Sequence, residues 1–71
     1  MVDERINTLG FNIKVERLRK KISQAALGEK ANISMNSIQK IEGGKQTPSA
    51  LVLYDIAKAL DISIENFYKD I

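Results

Sequence analysis

Apolar residues recur along most of the chain at the three- and four-residue intervals of an α-helix, and no stretch sustains the alternation of a β-strand. The clearest stripe occupies positions i, i+3, i+4 and i+7 of one helix: Leu53, Ile56, Ala57 and Leu60. Serine stands directly before four of the helical patterns, where its hydroxyl can accept a hydrogen bond from an unpaired backbone N–H. The pattern predicts an all-α protein of short helices joined by tight turns.

These signals predict five helices. They cover approximately residues 7–20, 24–31, 35–42, 50–60 and 64–69, and the last four follow Ser23, Ser34, Ser49 and Ser63. In the first helix we expect Leu9 and Ile13 to face inward, joined by either Arg17 or Leu18. The pair Gly43-Gly44 ends the third helix, because glycine is a favoured helix terminator.

Length and composition narrow the range of functions. A chain of 71 residues makes one small domain with a marginal core, to which a homodimer would add buried area. The sequence has no cysteine and no histidine, which excludes disulfides, cysteine or histidine metal sites, and thiol or imidazole catalysis. No paired carboxylates, activated nucleophile or phosphate-binding glycine loop stands out. We therefore expect a protein that is not an enzyme and has no cofactor or metal.

The chain also lacks the features of a membrane or secreted protein. No run approaches the roughly 18 apolar residues of a membrane span. The first five residues are mostly charged and lack the apolar stretch of a signal peptide. A cytoplasmic location is the expectation.

Charge is distributed unevenly along the chain. Residues 14–45 contain eight basic and three acidic residues, a net charge of +5, whereas residues 46–71 have a net charge of −2. A basic first part and an acidic end suggest one side that faces a polyanion and a different opposite side. The alternative is an ordinary solvated helix surface.

Residues 24–42 are the most informative stretch, because two short helices flank a turn of three or four residues. Gly28 lies inside a helix, where glycine costs roughly 1 kcal/mol relative to alanine, so we expect another backbone to approach it closely. Asn32 falls in the turn, and asparagine tolerates the left-handed conformation. Apolar contacts between the two helices would come from Leu27, Ile33, Ile38 and Ile41. This arrangement is typical of a helix-turn-helix unit, here about residues 23–43.

Four segments carry a resemblance to a known family: SQAALGEKANIS (23–34), IQKIEGGK (38–45), PS (48–49) and IAKALDIS (56–63). Over about residues 9–69 the chain resembles the XRE-type helix-turn-helix proteins, which include Cro and the lambdoid phage repressors. It is also similar to the restriction–modification controller proteins. The resemblance implies a five-helix lambda-repressor-like domain that binds DNA. Three residues depart from the family pattern: Asn32 in place of glycine, Gly28 in place of alanine and Lys21 in place of glycine.

The third helix would read the DNA if it enters the major groove. At about 100° per residue, Ile38 and Ile41 point inward, whereas Asn36, Gln39 and Lys40 point outward. Met35 and Ser37 lie at the flanks of the outward face. Asparagine and glutamine pair well with adenine, lysine pairs with guanine, and methionine offers an apolar contact to thymine. The candidate DNA-binding residues are Gln24, Ser34, Met35, Asn36, Ser37, Gln39, Lys40 and Lys45. The alternative is an ordinary polar helix face.

The resemblance gives specific roles to Gln24, Arg17 and Glu42, and its position gives one to Lys45. It implies that Gln24 contacts the DNA backbone and the edge of the binding site; the alternative is simple solvent exposure. Lys45, in the loop after the third helix, is the expected phosphate-binding lysine. The resemblance also implies an ion pair between Arg17 and Glu42. We expect this pair to be structural, so that Glu42→Ala lowers stability and weakens DNA binding only indirectly.

The last ten residues, 62–71, are predicted to form the dimer. They contain more apolar residues than one short helix needs for a single core, and an exposed apolar patch marks an interface. The candidate interface residues are Ile64, Phe67, Tyr68 and Ile71. The alternative is that they all cap the core of the monomer. A two-fold dimer would place two recognition helices about 34 Å apart, one turn of DNA.

We therefore expect a sequence-specific transcriptional regulator that binds an inverted-repeat operator in double-stranded DNA as a homodimer. A restriction–modification controller and a phage or plasmid repressor are both compatible with the sequence. Activation would also require contact with RNA polymerase, for which the acidic end of the chain is a candidate surface. The alternative is an antitoxin or protein-interaction module whose DNA binding is secondary.

Overall fold

The computed structural model describes residues 3–71, and its regular elements over that range are all helical. They are α1 (Arg5–Arg19), α2 (Gln24–Ala31), α3 (Met35–Glu42), α4 (Ala50–Leu60) and a C-terminal 3₁₀ helix (Ile64–Tyr68). The predicted bounds of α2, α3 and α4 are confirmed. The longest helix has 15 residues, and none in the described range is long and apolar enough to cross a bilayer. The expected absence of a signal peptide concerns in part residues 1–2, which lie outside the described range.

The fifth predicted α-helix is a 3₁₀ helix, so the described chain has four α-helices rather than five. The segment is only five residues long, and its first turn closes with a bond from the Asn66 N–H to the Ser63 carbonyl, 3.0 Å away. Bonds of this i→i+3 type give the tighter 3₁₀ turn, which is common in short pieces of helix. The preference for an α-helix in this segment was therefore wrong.

All four predicted serine caps are present. The Oγ atoms of Ser23, Ser34, Ser49 and Ser63 accept backbone N–H bonds at 3.0, 3.1, 3.1 and 3.3 Å. Helix α1 begins differently, because Asp3 accepts hydrogen bonds from both the side chain and the backbone N–H of Arg5. These bonds hold the pKa of the Asp3 carboxyl at about 2, below its usual value.

The core contains apolar residues from every helix. Its buried members are Leu9, Ile13, Leu27, Ala31, Ile38, Ile41, Leu53, Ile56, Ala57, Leu60 and Phe67. At the end of α1, Arg17 takes the inward position and is buried, whereas Leu18 is 53% exposed. Of the two residues considered for that position, Arg17 is therefore the correct one, because its guanidinium has a buried partner in α3.

The turn between α2 and α3 has the predicted geometry. Asn32 adopts the left-handed conformation, with φ 58° and ψ 44°. A Cβ atom at Gly28 would lie only 2.5 Å from the Ile33 carbonyl oxygen, so the chain after the turn passes directly against this glycine. The small residue is needed for the close crossing of the two helices.

A second close crossing, between α1 and α3, was not predicted. A Cβ atom at Gly10 would overlap the Ile41 carbonyl oxygen and crowd the Glu42 carbonyl group. The backbone of α1 therefore supports the C-terminal end of α3 directly. Just beyond that end, Gly44 has φ 72° and packs against the Asn7 side chain, which leaves no room for a larger residue.

Candidate nucleic-acid interface

The outward side of α3 is polar and open to solvent. Asn36, Gln39 and Lys40 are all exposed, while Ile38 and Ile41 on the opposite side are fully buried. The two isoleucines set the rotation of the helix, because burying them turns the three polar residues outward. These three amide and ammonium groups lie on one accessible helical face, the arrangement that groove contacts require.

The start of α3 holds three of the candidate residues in different settings. Ser34 accepts a bond from the Ser37 N–H and donates its hydroxyl proton to the Ser37 Oγ at 3.0 Å. The Ser34 hydroxyl therefore caps the helix, and the Ser37 hydroxyl is bonded to that cap. Met35, by contrast, is 47% exposed, so its thioether end is available for an apolar contact.

Lys45 lies in the loop just after α3, and its side chain is exposed. Its backbone N–H donates to the Lys40 carbonyl at 2.8 Å, which ties the loop to the last turn of the helix. The packing of Asn7 against Gly44 holds the same loop from the other side. The ammonium group of Lys45 therefore extends from a well-supported backbone next to the exposed face of α3.

The structure contains an ion pair between Arg17 and Glu42. The Arg17 Nε and Nη2 atoms donate to the two oxygens of the Glu42 carboxylate at 2.7 and 3.0 Å. Arg17 Nη1 donates to the Ile22 carbonyl at 2.9 Å. The side chains are only 8% and 3% exposed, and this two-pronged geometry is the strongest form of such a pair.

Gln24, the first residue of α2, is attached to this ion pair. Its Nε2 atom donates to Glu42 Oε1 at 3.1 Å, and the residue is half-buried. Simple solvent exposure, the alternative considered for Gln24, does not describe its side chain. A candidate DNA contact and the buried pair therefore belong to one hydrogen-bond network, a link that no local sequence signal indicated.

The C-terminal candidates separate into buried and exposed residues. Phe67 has no exposed surface and belongs to the core, so its assignment to a dimer interface was wrong. The Asn12 Nδ2 atom holds the surrounding backbone through bonds to the carbonyls of Phe67 and Lys69, at 2.9 and 2.8 Å. Ile64 is half-buried and packs against the core. Tyr68 and Ile71 each remain 47% exposed.

Two further exposed apolar faces were not predicted from the sequence. On α4, Leu51 is 75% and Tyr54 56% exposed; on α1, Phe11 is 61% and Leu18 53% exposed. A helical projection could have found the first pair, because Leu51 and Tyr54 fall outside the stripe that α4 buries. For α1 the same projection could not be oriented, because the sequence left open whether Arg17 or Leu18 faces inward.

Comparison with known proteins gives the family. A family model described as helix-turn-helix matches residues 13–67. The chain belongs to the XRE-type helix-turn-helix family. An immunity repressor protein of Bacillus phage phi105 is 39% identical over 57 residues, which are 80% of this chain and 40% of that protein. The chain spans about half the length of the curated relatives it matches.

Solved structures share the fold. The restriction–modification controller protein C.Esp1396I has a TM-score of 0.86 and 28% identity, over 94% of this chain and 87% of that one. The P22 c2 repressor, solved in complex with a synthetic operator, has a TM-score of 0.78 and 33% identity, over 86% of this chain and 92% of its own. The predicted all-α, lambda-repressor-like fold is confirmed, with the 3₁₀ helix in place of the fifth α-helix.

Proposed function

We propose that this protein is a sequence-specific transcriptional regulator that binds an inverted-repeat operator as a homodimer. The observation that carries the proposal is the outward face of α3, where Asn36, Gln39 and Lys40 are exposed opposite a buried apolar stripe. The likeness to the P22 c2 repressor, which was solved with an operator, supports it. The activity is binding rather than an enzymatic reaction.

In this proposal α3 lies in the major groove. Asn36 and Gln39 offer donor and acceptor pairs that match adenine, and Lys40 matches guanine or a phosphate. Lys45 and Gln24 contact phosphates on either side of the groove and set the register without specifying sequence. The helix-turn-helix at about residues 23–43 thus combines base contacts with backbone contacts.

The dimer interface is proposed to involve α4 and the end of the chain. Leu51 and Tyr54 expose large apolar surfaces on α4, and Tyr68 and Ile71 do so in the C-terminal segment. Covering such surface is favourable at roughly 25 cal/mol per Å² of apolar area, which a small domain needs. Two-fold pairing would place the α3 helices about 34 Å apart, to match adjacent major grooves on one side of the DNA.

The biological setting follows from the same proposal. The protein acts on DNA in the cytoplasm, as a restriction–modification controller or a phage- or plasmid-type repressor. Occupying a promoter would repress it. Activation would require a contact between the acidic C-terminal part of the chain and RNA polymerase.

Selection of binding sites from a random DNA library tests this function, followed by titration of the best site at two salt concentrations. We expect an inverted repeat with half-sites about one helical turn apart and a steep fall in affinity with salt. A matched control carries alanine at Asn36, Gln39 and Lys40, which are exposed and can change without loss of the core. An equal affinity of the control for the selected site would contradict the proposal.

An antitoxin or protein-interaction module is the second candidate. The exposed Phe11 and Leu18 on α1 favour it, because they lie on a helix separate from the surfaces proposed for DNA and for the dimer. No enriched sequence in the library selection would move this candidate to first place. Because its DNA binding is only secondary, an enriched inverted repeat would favour the transcriptional regulator.

A further inference from the structure

We propose that Glu42 is a positioning residue for DNA binding, which holds the Gln24 side chain in place in addition to pairing with Arg17. The inference rests on the proposed function. It starts from one shared acceptor. Glu42 Oε1 accepts a hydrogen bond from Arg17 Nη2 at 3.0 Å and another from Gln24 Nε2 at 3.1 Å. One carboxylate thus joins α1, α2 and α3.

The environment of the carboxylate makes this hydrogen bond effective. The Glu42 side chain is 3% exposed, and Arg17 donates two hydrogen bonds to its carboxylate. A hydrogen bond to a charged acceptor in a water-poor site is stronger than the same bond at an open surface. Gln24 is only half-buried, so its amide bridges the buried carboxylate and the surface at the start of α2.

The consequence for Gln24 is a restricted side chain. Glutamine is among the residues that lose most rotamer freedom on becoming ordered. The bond to Glu42 takes one N–H of the amide and leaves the second N–H and the carbonyl oxygen free for a ligand. The Gln24 side chain is therefore partly ordered before DNA binds. It loses less conformational entropy on binding, which favours affinity.

A double replacement separates this role from the stability of the ion pair. Arg17→Met with Glu42→Gln removes both charges but leaves an acceptor for Gln24, whereas Arg17→Met with Glu42→Met removes the acceptor as well. Neither variant leaves a buried charge unpaired, and apolar replacement of a whole buried pair is often tolerated. The two variants differ only in the group that faces Gln24, so each serves as the control for the other.

The measurement is affinity for the selected operator, with and without Gln24→Ala, alongside urea unfolding. In the variant that keeps the acceptor, Gln24→Ala should weaken binding about tenfold, within the usual range of coupling between contacting residues. In the variant without the acceptor, binding should already be about tenfold weaker and Gln24→Ala should change it little. Equal effects of Gln24→Ala in the two variants at matched urea midpoints would overturn the inference.

The side-chain amide of Gln24 gives a readout that needs neither DNA nor a variant of the ion pair. In ¹H–¹⁵N spectra of the unaltered protein, one of its two amide protons should be shifted away from the values of free glutamine by the bond to Glu42. Gln24→Ala assigns the signal. Free-glutamine shifts would refute the inference even if the paired variants do not fold. A shifted signal in a protein that selects no DNA would instead contradict the proposed function.

Discussion

Helices α3 and α4 bury similar apolar stripes but expose opposite kinds of side chain. Outward from α3 lie Asn36, Gln39 and Lys40, whereas outward from α4 lie Leu51 and Tyr54 beside two charged residues. The inward faces explain the fold, and the outward faces explain what each helix can bind. A polar, partly cationic face suits DNA, and an apolar face suits another protein surface.

The largest expected effect comes from Phe67, because this residue is fully buried in the core. The comparison of inward and outward faces depends on that placement. Phe67→Ala should lower the free energy of unfolding by about 3–5 kcal/mol, since it empties a fully buried site. Urea unfolding measures the change. Lys14→Ala, at an exposed position of α1, should change stability by about 0.5 kcal/mol or less. Similar unfolding midpoints for the two variants would indicate that Phe67 is exposed rather than buried.

The polar face of α3 is tested by Gln39→Ala. We expect affinity for the selected operator to fall by about 1–3 kcal/mol, the usual value of a good contact to a base. The unfolding midpoint should be unchanged, because the site is exposed and alanine favours helix. Lys14→Ala, on the exposed side of α1 and away from both proposed surfaces, is the matched control in a DNA titration. If Lys14→Ala weakens binding as much as Gln39→Ala, the polar face of α3 is not the DNA-binding surface.

The apolar face of α4 is tested by Leu51→Glu. We expect the dimer to weaken by about 1 kcal/mol or more, because a charge replaces an apolar side chain at the interface. Sedimentation equilibrium over a range of protein concentrations gives the dissociation constant. Leu18→Glu makes the same chemical change on the exposed side of α1 and should leave the dimer intact. Dissociation by the α1 variant alone would move the interface to that helix.

The smallest effect belongs to Lys45→Ala. Loss of one phosphate contact should weaken binding to all DNA sequences alike and reduce the slope of log affinity against log salt by about 1. Titrations of the operator and of unrelated DNA at several salt concentrations check this. Lys69→Ala, near the acidic end of the chain, should leave the slope unchanged. A change in sequence preference with Lys45→Ala would instead indicate a contact with bases.

Local signals in the sequence were sufficient for much of the fold. The serine caps and the left-handed Asn32 act within a few residues of their own positions, and the bounds of α2, α3 and α4 follow from them. The outward residues of α3 could be predicted for the same reason, since two buried isoleucines determine the rotation of a short helix.

The remaining features depend on residues far apart in the chain. Whether Phe67 is buried depends on the surface that α1 and α4 leave uncovered, which no pattern within residues 62–71 contains. The need for glycine at position 10 comes from carbonyl groups at the end of α3. The bond between Gln24 and Glu42 likewise requires that α2 and α3 are already packed together.

The crossing of α1 and α3 at Gly10 has a consequence for evolution. The contact is made by the backbone of α1 and the carbonyl groups of Ile41 and Glu42, not by the outward side chains of α3. Substitutions among those outward residues can therefore accumulate while the helix keeps its position. If α3 reads DNA as proposed, descendants of such a domain can acquire new operators one residue at a time and retain the same scaffold.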